Sequence, residues 1–187
     1  MGEKGGRRAA QGSAALSAVA VALVLAALLG LPACYTSKTR MPEHLKTIAV
    51  PIFANKTYMD DYTRKLEFEV TEAVRTTLLQ QGRLQLAGRE GADLVLEGDV
   101  IKIERAQLRV DRYGDPAEMQ YRIVTNISLY NVRDAKYVFK NMTVASDLRR
   151  PTSGVYDLRR GEYEDLGKKN AIEGVGRNIA QAVLDHW

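Results

Sequence analysis

The chain of 187 residues is poor in the side chains that usually build catalytic or metal centres. It contains one cysteine, Cys34, and two histidines, His44 and His186, which lie far apart near the two ends of the sequence. A single cysteine excludes an internal disulfide, and the scarcity of cysteine and histidine argues against an ordinary zinc site. The sequence also lacks a nucleophile elbow and a glycine-rich phosphate loop. We therefore expect a protein that is not an enzyme and holds no metal.

The N-terminal segment is organised around an apolar run. Three basic residues, Lys4, Arg7 and Arg8, precede a stretch without charge from Ala14 to Cys34. A basic start, an apolar middle and small residues at the exit are typical of a secretory signal peptide. Removal of residues 1–33 takes away three basic residues and one acidic residue, so the net charge falls from +4 to +2. This small charge gives no support for nucleic-acid binding.

The signal peptide ends in Leu31-Pro32-Ala33-Cys34, which resembles a lipobox, the cleavage site of bacterial lipoproteins. The resemblance implies that Cys34 becomes the first residue and carries a diacylglyceryl group and an N-acyl chain such as palmitate. We expect no other cofactor. Each buried methylene of such a lipid contributes about 0.8 kcal/mol, so several chains hold a protein firmly on a membrane. Two alternatives stay open. The apolar stretch approaches the roughly 20 residues that span a bilayer, so the first alternative is that it stays uncleaved as a membrane anchor. The second alternative is that the protein is cleaved, carries no lipid and is secreted in soluble form.

The chain after the signal peptide is long enough for one domain with a core of its own. We expect residues 34–46 to form an acylated tether, which is polar, contains Pro42 and lacks periodicity. Residues 47–187 are expected to form the folded domain. Since the tether is short, this domain should lie close to the membrane.

Two helices are predicted in this domain from apolar stripes at helical spacing. The first covers 60–81, with Asp60 or Asp61 as its cap and Gly82 as its end. The second covers 162–185. The predicted stripes are Tyr62, Leu66, Val70, Ala73, Val74, Thr77 and Leu78 in the first helix, and Ile172, Val175, Ile179, Ala182 and Val183 in the second. Phe68 and Leu79 lie on the other side of the first helix, as a partner contact, as stray exposed apolar residues or as a second layer of core.

Four main strands are predicted, at 47–53, 94–103, 121–130 and 136–145, with a short extended piece at 83–87. Pro51 indicates that the first strand lies at an edge or ends there. A change of alternation beside Gly98 predicts a bulge or twist. Residues 105–118 and 146–160 are read as connections, and Glu97 and Asp99 as part of a solvated sheet face. The predicted fold class is α+β: a two-layer sandwich with two helices on one face of a mostly antiparallel or mixed sheet of about four strands.

Several segments, in their order along the chain, resemble the LptE family, the outer-membrane lipoproteins of lipopolysaccharide assembly. They are Thr47-Ile-Ala-Val-Pro-Ile-Phe-Ala-Asn-Lys-Thr57, Leu66-Glu-Phe-Glu-Val-Thr-Glu-Ala-Val-Arg75, Gly82-Arg-Leu-Gln-Leu86, Ala92-Asp-Leu-Val-Leu-Glu-Gly98 and Glu118-Met-Gln-Tyr-Arg-Ile-Val-Thr-Asn-Ile-Ser-Leu-Tyr130. The resemblance implies a protein held by its lipid at the periplasmic face of the outer membrane. Such proteins plug the lumen of the LptD β-barrel, help it to assemble and contact lipopolysaccharide on its way to the outer leaflet.

The resemblance also points to arginines as the lipopolysaccharide contact. Arg112, within Asp111-Arg-Tyr-Gly114, matches a family arginine in the turn between two main strands. The loop before the last helix offers Arg159 or Arg160 as the nearest match to a second basic position. Arg105 and Arg109 share the first connection with Arg112 and complete the predicted site. Guanidinium groups bind phosphate through paired hydrogen bonds. The alternative is that these arginines are solvated and bind no ligand.

A second family reading stays open. The chain also resembles LpoB-like and CsgG-like outer-membrane lipoproteins. The resemblance lies in the Ile-Ala-Val-Pro segment, the Asn-Lys-Thr loop that follows it and an amphipathic helix. LpoB-like proteins activate peptidoglycan synthases, and CsgG-like proteins form secretion pores. Such proteins usually carry a long linker or membrane-spanning segments, whereas the predicted tether here is short. The sequence therefore favours the LptE reading.

Overall fold

The structure is a computed structural model that describes residues 41–57, 65–146 and 154–187. Cys34 and the predicted signal peptide lie outside the described residues, as do the proposed helix caps Asp60 and Asp61. Neither helix of the described part is both long and apolar enough to cross a membrane. The helices are α1 (Leu66–Gln81) and α2 (Glu164–Asp185). The strands are β1 (Thr47–Ala49), β2 (Ala54–Asn55), β3 (Gln85–Leu86), β4 (Leu94–Val110), β5 (Pro116–Asn131), β6 (Lys136–Ala145) and β7 (Val155–Asp157).

The seven strands found in the described residues form one mixed sheet in the order β3-β1-β4-β5-β6, with β2 beside β4 and β7 beside β5. β1 is parallel to β3 and β4, and β2 is parallel to β4. β4, β5 and β6 form an antiparallel meander, and β7 adds antiparallel to β5. The strand number exceeds the predicted four because β2, β3 and β7 have only two or three residues each. Segments of that length carry no readable alternation.

Both helices pack on the same face of the sheet, which confirms the predicted fold class. Burying a leucine, isoleucine or valine side chain contributes about 1.5–3 kcal/mol, and the two helical stripes supply much of this core. The fully buried members are Leu66, Val70, Val74 and Leu78 of α1, Val175, Ile179 and Val183 of α2, Leu94, Leu96 and Val100 of β4, and Tyr121, Ile123, Ile127 and Leu129 of β5.

Two glycines allow close contacts in this core. A Cβ atom on Gly176 of α2 would lie 2.9 Å from the Cβ of Ala73 and 3.0 Å from its carbonyl carbon, so the two helices touch there through backbone. A Cβ on Gly98 of β4 would lie 2.5 Å from Cε2 of Phe53. The ring of Phe53 therefore occupies the space that a side chain at position 98 would need. Contacts of this kind leave no room for even one added methyl group.

The first predicted strand is shorter than expected. β1 ends at Ala49, before Pro51, and the chain rejoins the sheet as β2 at Ala54. Pro51 thus ends the strand, as predicted. β1 itself is not an edge strand, because β3 and β4 flank it. Met41 and Leu45, which were expected in the tether, pack against the core, and Leu45 is buried.

The main error concerns residues 105–118, which were predicted to be a connection. β4 continues to Val110 and β5 begins at Pro116, so most of this segment is strand. The predicted bulge is present: the β4–β5 register shifts between Val100 and Lys102, and a second shift follows between Gln107 and Arg109. The predicted loop 146–160 likewise contains β7 and a short 3₁₀ helix, Leu158–Arg160.

Both predicted helices are present, and each begins later in the sequence than predicted: α1 at Leu66 and α2 at Glu164. α1 ends before Gly82. Phe68 and Leu79 are both more than half exposed on α1. Glu97 and Asp99 belong to the partly solvated face of the sheet, as expected, and each pairs with a basic residue, Arg89 and Lys56 respectively.

Candidate functional site

The predicted site residues lie on or beside a two-stranded extension of the sheet, residues 102–117, named here the ribbon. Beyond Val100, β4 pairs only with β5 in the described part of the chain. Almost all ribbon residues are exposed or half-buried, although Ala117 is buried. The ribbon carries Arg105, Arg109 and Arg112 at its base, middle and tip.

Arg112 lies in the turn that closes the ribbon. The Asp111 carboxylate holds this turn by accepting hydrogen bonds from the backbone N–H of Tyr113 (2.8 Å) and of Asp115 (3.0 Å). The guanidinium carbon of Arg112 lies 5.0 Å from the centroid of the Tyr113 ring. No carboxylate of the described residues forms an ion pair with Arg112. Its side chain is therefore an exposed cation on a well-defined turn.

Arg109 lies in a row of charges that crosses three strands. It pairs in register with Glu118 of β5, and Glu118 pairs with Asp157 of β7. Nε of Arg109 lies 3.4 Å from a Glu118 carboxylate oxygen, and Nη2 lies 3.6 Å from Oδ2 of Asp157. The guanidinium thus spans the two carboxylates from the neighbouring strands.

Asp157 also forms ion pairs with the two arginines of the 3₁₀ helix that follows β7. Oδ1 of Asp157 accepts the backbone N–H of Arg159 at 3.0 Å, and Nη2 of Arg159 approaches Oδ2 at 3.3 Å. Nε of Arg160 lies 3.7 Å from the same oxygen. The hydrogen bond from the Arg159 side chain is the main cause that lowers the pKa of Asp157 below its usual value. Asp157 is therefore ionised at neutral pH and gathers three guanidinium groups.

A surface cavity of about 330 Å³ opens at this point. Arg109 and Arg160 line it together with Glu118, Asp157 and Glu162. The cavity thus offers two cations and three carboxylates. A phosphate that enters this cavity can contact the two guanidinium groups. It is also repelled by the carboxylates that already form ion pairs with them, and this repulsion opposes anion binding.

Arg105 has a different role from Arg109 and Arg112. Nε of Arg105 donates to a Glu164 carboxylate oxygen of α2 at 2.6 Å. Its guanidinium carbon lies 5.5 Å from the centroid of the buried Tyr121 ring. Arg105 therefore links the base of the ribbon to the start of α2, which is a structural contact.

The structure thus brings together Arg109, Arg159 and Arg160, places Arg105 at the ribbon base and leaves Arg112 at the tip. The sequence reading missed the carboxylates that organise them: Asp157, Glu118 and Glu164. A signal for one of them was present, since Asp157 stands two and three residues before the two loop arginines. The pairing of Arg109 with Asp157 depends on β7, which the sequence did not reveal. Within the described ranges, no group of three or more His, Cys, Asp or Glu residues could hold a metal ion.

The architecture defines a small α+β domain that carries a solvated ribbon with a basic tip. The sequence profile of the LptE family, described as Lipopolysaccharide-assembly, matches residues 45–184. The chain belongs to the LptE family, and it is a bacterial cell-envelope lipoprotein of the lipopolysaccharide-assembly kind. No curated protein sequence is a significant match.

Solved structures resemble the fold at low sequence identity. Protein XCC0632 from Xanthomonas campestris has a TM-score of 0.52 at 13% identity, with 79% of this chain and 91% of that chain covered. The hypothetical protein CT253 from Chlamydia trachomatis has a TM-score of 0.50 at 11% identity, with 74% of this chain and 95% of that chain covered. At such identities the likeness concerns the fold alone.

Proposed function

We propose that this protein is the lipoprotein partner of the LptD β-barrel: it plugs the barrel lumen, assists barrel assembly and contacts lipopolysaccharide during insertion into the outer leaflet. The observation that carries the proposal is the family match, which extends over 45–184 and so includes both helices, the meander and the ribbon. We assign no catalytic activity to the protein. In this proposal Cys34 carries the lipid that anchors the domain at the periplasmic face of the outer membrane.

The proposal takes Arg112 as the first contact for lipopolysaccharide. Its exposure at the ribbon tip and its freedom from ion pairs within the described residues support this choice. A guanidinium without a carboxylate partner can bind a lipid A phosphate without first breaking an ion pair. The Tyr113 ring beside it adds an exposed apolar and hydrogen-bonding surface.

The proposal ranks the other four arginines after Arg112 as lipopolysaccharide contacts: Arg105, Arg109, Arg159 and Arg160. Each already contacts a carboxylate, and Asp157 alone contacts three of them. A ligand phosphate must therefore share or displace that carboxylate. Replacing Asp157 by asparagine would remove the competing charge while keeping a side chain of the same shape. This variant tests the three arginines that contact Asp157, namely Arg109, Arg159 and Arg160. If they reach the ligand, Asp157→Asn raises the affinity for lipopolysaccharide; an unchanged affinity removes these three from the site.

Co-purification tests the partner. The tagged full chain, extracted from the outer membrane with detergent, should recover a very large β-barrel protein in stoichiometric amount. Recovery of a penicillin-binding protein would instead support the peptidoglycan-synthase activator alternative. A Cys34→Ser variant is the matched control, because it removes the lipid acceptor and leaves every residue of the domain unchanged. Mass spectrometry of the wild-type protein should show a cleaved, triacylated N-terminus at Cys34.

A further inference from the structure

The face of the sheet that points away from the helices carries a second cavity. Glu97 and Asp99 alternate along β4 with the buried Leu96 and Val100, and this alternation directs them away from the helices. In the β4–β5 register, Glu97 lies opposite Ser128 and Asp99 opposite Asn126. The cavity has a volume of about 420 Å³, within the range of small-molecule sites.

Side chains of both charge signs surround this cavity. An Arg89 nitrogen lies 2.7 Å from a Glu97 carboxylate oxygen, and Nζ of Lys56 lies 2.6 Å from Oδ2 of Asp99. A phosphate would meet two carboxylates, and a metal cation would meet three basic side chains, Arg89, Lys56 and Lys140. A purely apolar ligand would bury charged groups without replacing their contacts with water. The lining therefore suits an uncharged ligand with many hydroxyl groups, each of which can both donate and accept hydrogen bonds.

One lining residue carries a polar atom without a hydrogen bond. Oδ1 of Asn126 is buried and has no partner among the described residues. An exchange of the amide oxygen and nitrogen would leave an unpaired donor in the same place. Buried polar groups without partners are rare in native proteins, because an unpaired group loses its hydrogen bonds to water and gains none in return. A small rotation of the amide would let a ligand hydroxyl supply the missing hydrogen bond.

A distortion of the edge strand shapes the opposite wall. Lys140 and Asn141 together oppose Ser128, because the register runs from Ile127–Met142 to Leu129–Phe139. Asn141 takes a left-handed conformation with a φ of 55°, and its N–H donates to Oγ of Ser128 at 3.0 Å. Bulges of this kind redirect side chains and are common beside functional sites.

The same wall contributes an aromatic ring and a cation. Nζ of Lys140 lies 5.1 Å from the centroid of the Tyr137 ring, and the ring of Tyr130 meets Tyr137 edge-on at 5.2 Å. The Tyr137 side chain is 44% exposed. A fixed, half-exposed tyrosine provides an apolar surface with a polar end. A sugar ring has the same combination of apolar C–H groups and hydroxyls.

We infer that this cavity is a saccharide site, bounded by Glu97, Asp99, Asn126, Ser128, Tyr137 and Lys140, and that it takes the sugar portion of lipopolysaccharide. The choice of that saccharide rests on the proposed function. The site is separate from the ribbon tip, so the phosphate-bearing and sugar-bearing parts of one ligand would have different contacts on the domain.

The test uses the full chain, purified in a detergent without a sugar head group, and the dephosphorylated core oligosaccharide released from lipopolysaccharide by mild acid. Calorimetric titration should show binding, which Asn126→Leu weakens about tenfold. The thermal midpoint of that variant should be unchanged or higher, because the lost amide made no hydrogen bond in the free protein. Tyr137→Leu, as a second variant, should weaken binding as well. Equal affinity of wild type and both variants would overturn the assignment.

Two further measurements are needed. One distinguishes lipopolysaccharide sugars from peptidoglycan sugars as the ligand, and the other distinguishes failure of this site from failure of the proposed function. Chitotetraose represents the other envelope glycan, peptidoglycan, and tighter binding of it than of the core oligosaccharide would overturn the lipopolysaccharide assignment. Glu173→Gln, an exposed position on α2 outside both proposed contacts, should leave oligosaccharide binding unchanged. Failure to recover the barrel together with intact oligosaccharide binding would reject the proposed function alone, whereas barrel recovery without oligosaccharide binding would reject only this site.

Discussion

Asp93 and Thr47 hold the start of β4 against the start of β1, although 46 positions separate them in the sequence. Oδ2 of Asp93 accepts from the backbone N–H and the hydroxyl of Thr47 at 3.0 and 2.9 Å, and from the backbone N–H of Lys46 at 2.9 Å. The Lys46 bond is the largest of the causes that lower the pKa of Asp93. One carboxylate thereby fixes the register of the parallel pair.

This arrangement predicts a pH dependence. The folded pKa of Asp93 lies below the unfolded value of about 3.9, so ionised Asp93 stabilises the fold above that value, and this contribution is lost as pH falls through the folded pKa. Asp93→Asn should lower the free energy of unfolding at pH 7 and flatten its decline below about pH 4. Urea unfolding between pH 3 and pH 7 measures both effects. Glu90→Gln, an exposed carboxylate, is the control, and equal acid slopes for wild type and Asp93→Asn would contradict the prediction.

Thr71 and Thr77 form a matched pair on α1. Each hydroxyl donates to the carbonyl four residues earlier, at 2.6 and 2.8 Å. Only the Thr71 hydroxyl also accepts from the N–H of Phe53, at 3.0 Å. Thr71→Val leaves that buried N–H unpaired and should destabilise the fold by about 1–3 kcal/mol. Thr77→Val should cost less, about 0.5 kcal/mol, because the partly buried Thr77 hydroxyl bonds only to a carbonyl of its own helix and leaves no buried N–H unpaired. Similar midpoints for both variants in thermal unfolding would show that the Phe53 contact contributes nothing.

At position 176 the close contact between Gly176 and Ala73 should make glycine more stabilising than alanine. In a helix interior, alanine is favoured over glycine by about 1 kcal/mol. Gly176→Ala should nevertheless lower the free energy of unfolding by about 1 kcal/mol, because overpacking a tight core costs about 1–3 kcal/mol. Adding Ala73→Gly should not restore stability, because it costs about 1 kcal/mol of helix preference and leaves the backbone of residue 73 in the way. A Gly176→Ala variant more stable than wild type would mean that the helices do not touch at this point.

Arg112→Ala should weaken lipopolysaccharide binding about tenfold or more, since a hydrogen bond to a charged group contributes about 1.5–3 kcal/mol. Binding should also become less sensitive to salt, because one screened charge contact is lost. The fold should be unaffected. Arg105→Ala is the contrasting variant: it removes the contact with Glu164 and should lower the thermal midpoint. Unchanged lipopolysaccharide affinity in Arg112→Ala would remove this arginine from the site.

The helices and the central strands could be predicted because one face of each is buried. Val70 and Val74 of α1, or Ile123 and Ile127 of β5, recur at the spacing that their element requires. The predicted bulge near Gly98 followed from the same logic, since Ile101 falls out of phase with Val100. Its side chain is exposed, whereas Ile103 returns to the core.

The ribbon was not predicted, because its apolar positions meet solvent and form no buried face. Ala106, Leu108 and Val110 do alternate with polar residues, but Leu108 and Val110 are about half exposed, and the second register shift interrupts the period. Its strands are specified by pairing with each other and not by burial. The grouping of Arg109 with Arg159 depends on Asp157 and therefore on the tertiary pairing of β7 with β5. No periodicity within either segment reports such a contact.

The shared volume of Gly98 and Phe53 has an evolutionary consequence. A larger residue at position 98 fits only if position 53 becomes smaller, and a smaller residue at position 53 leaves a void that a side chain at 98 can fill. Substitutions at the two sites should therefore appear together across the lineages that descend from a common ancestor, although 45 places separate them in the chain.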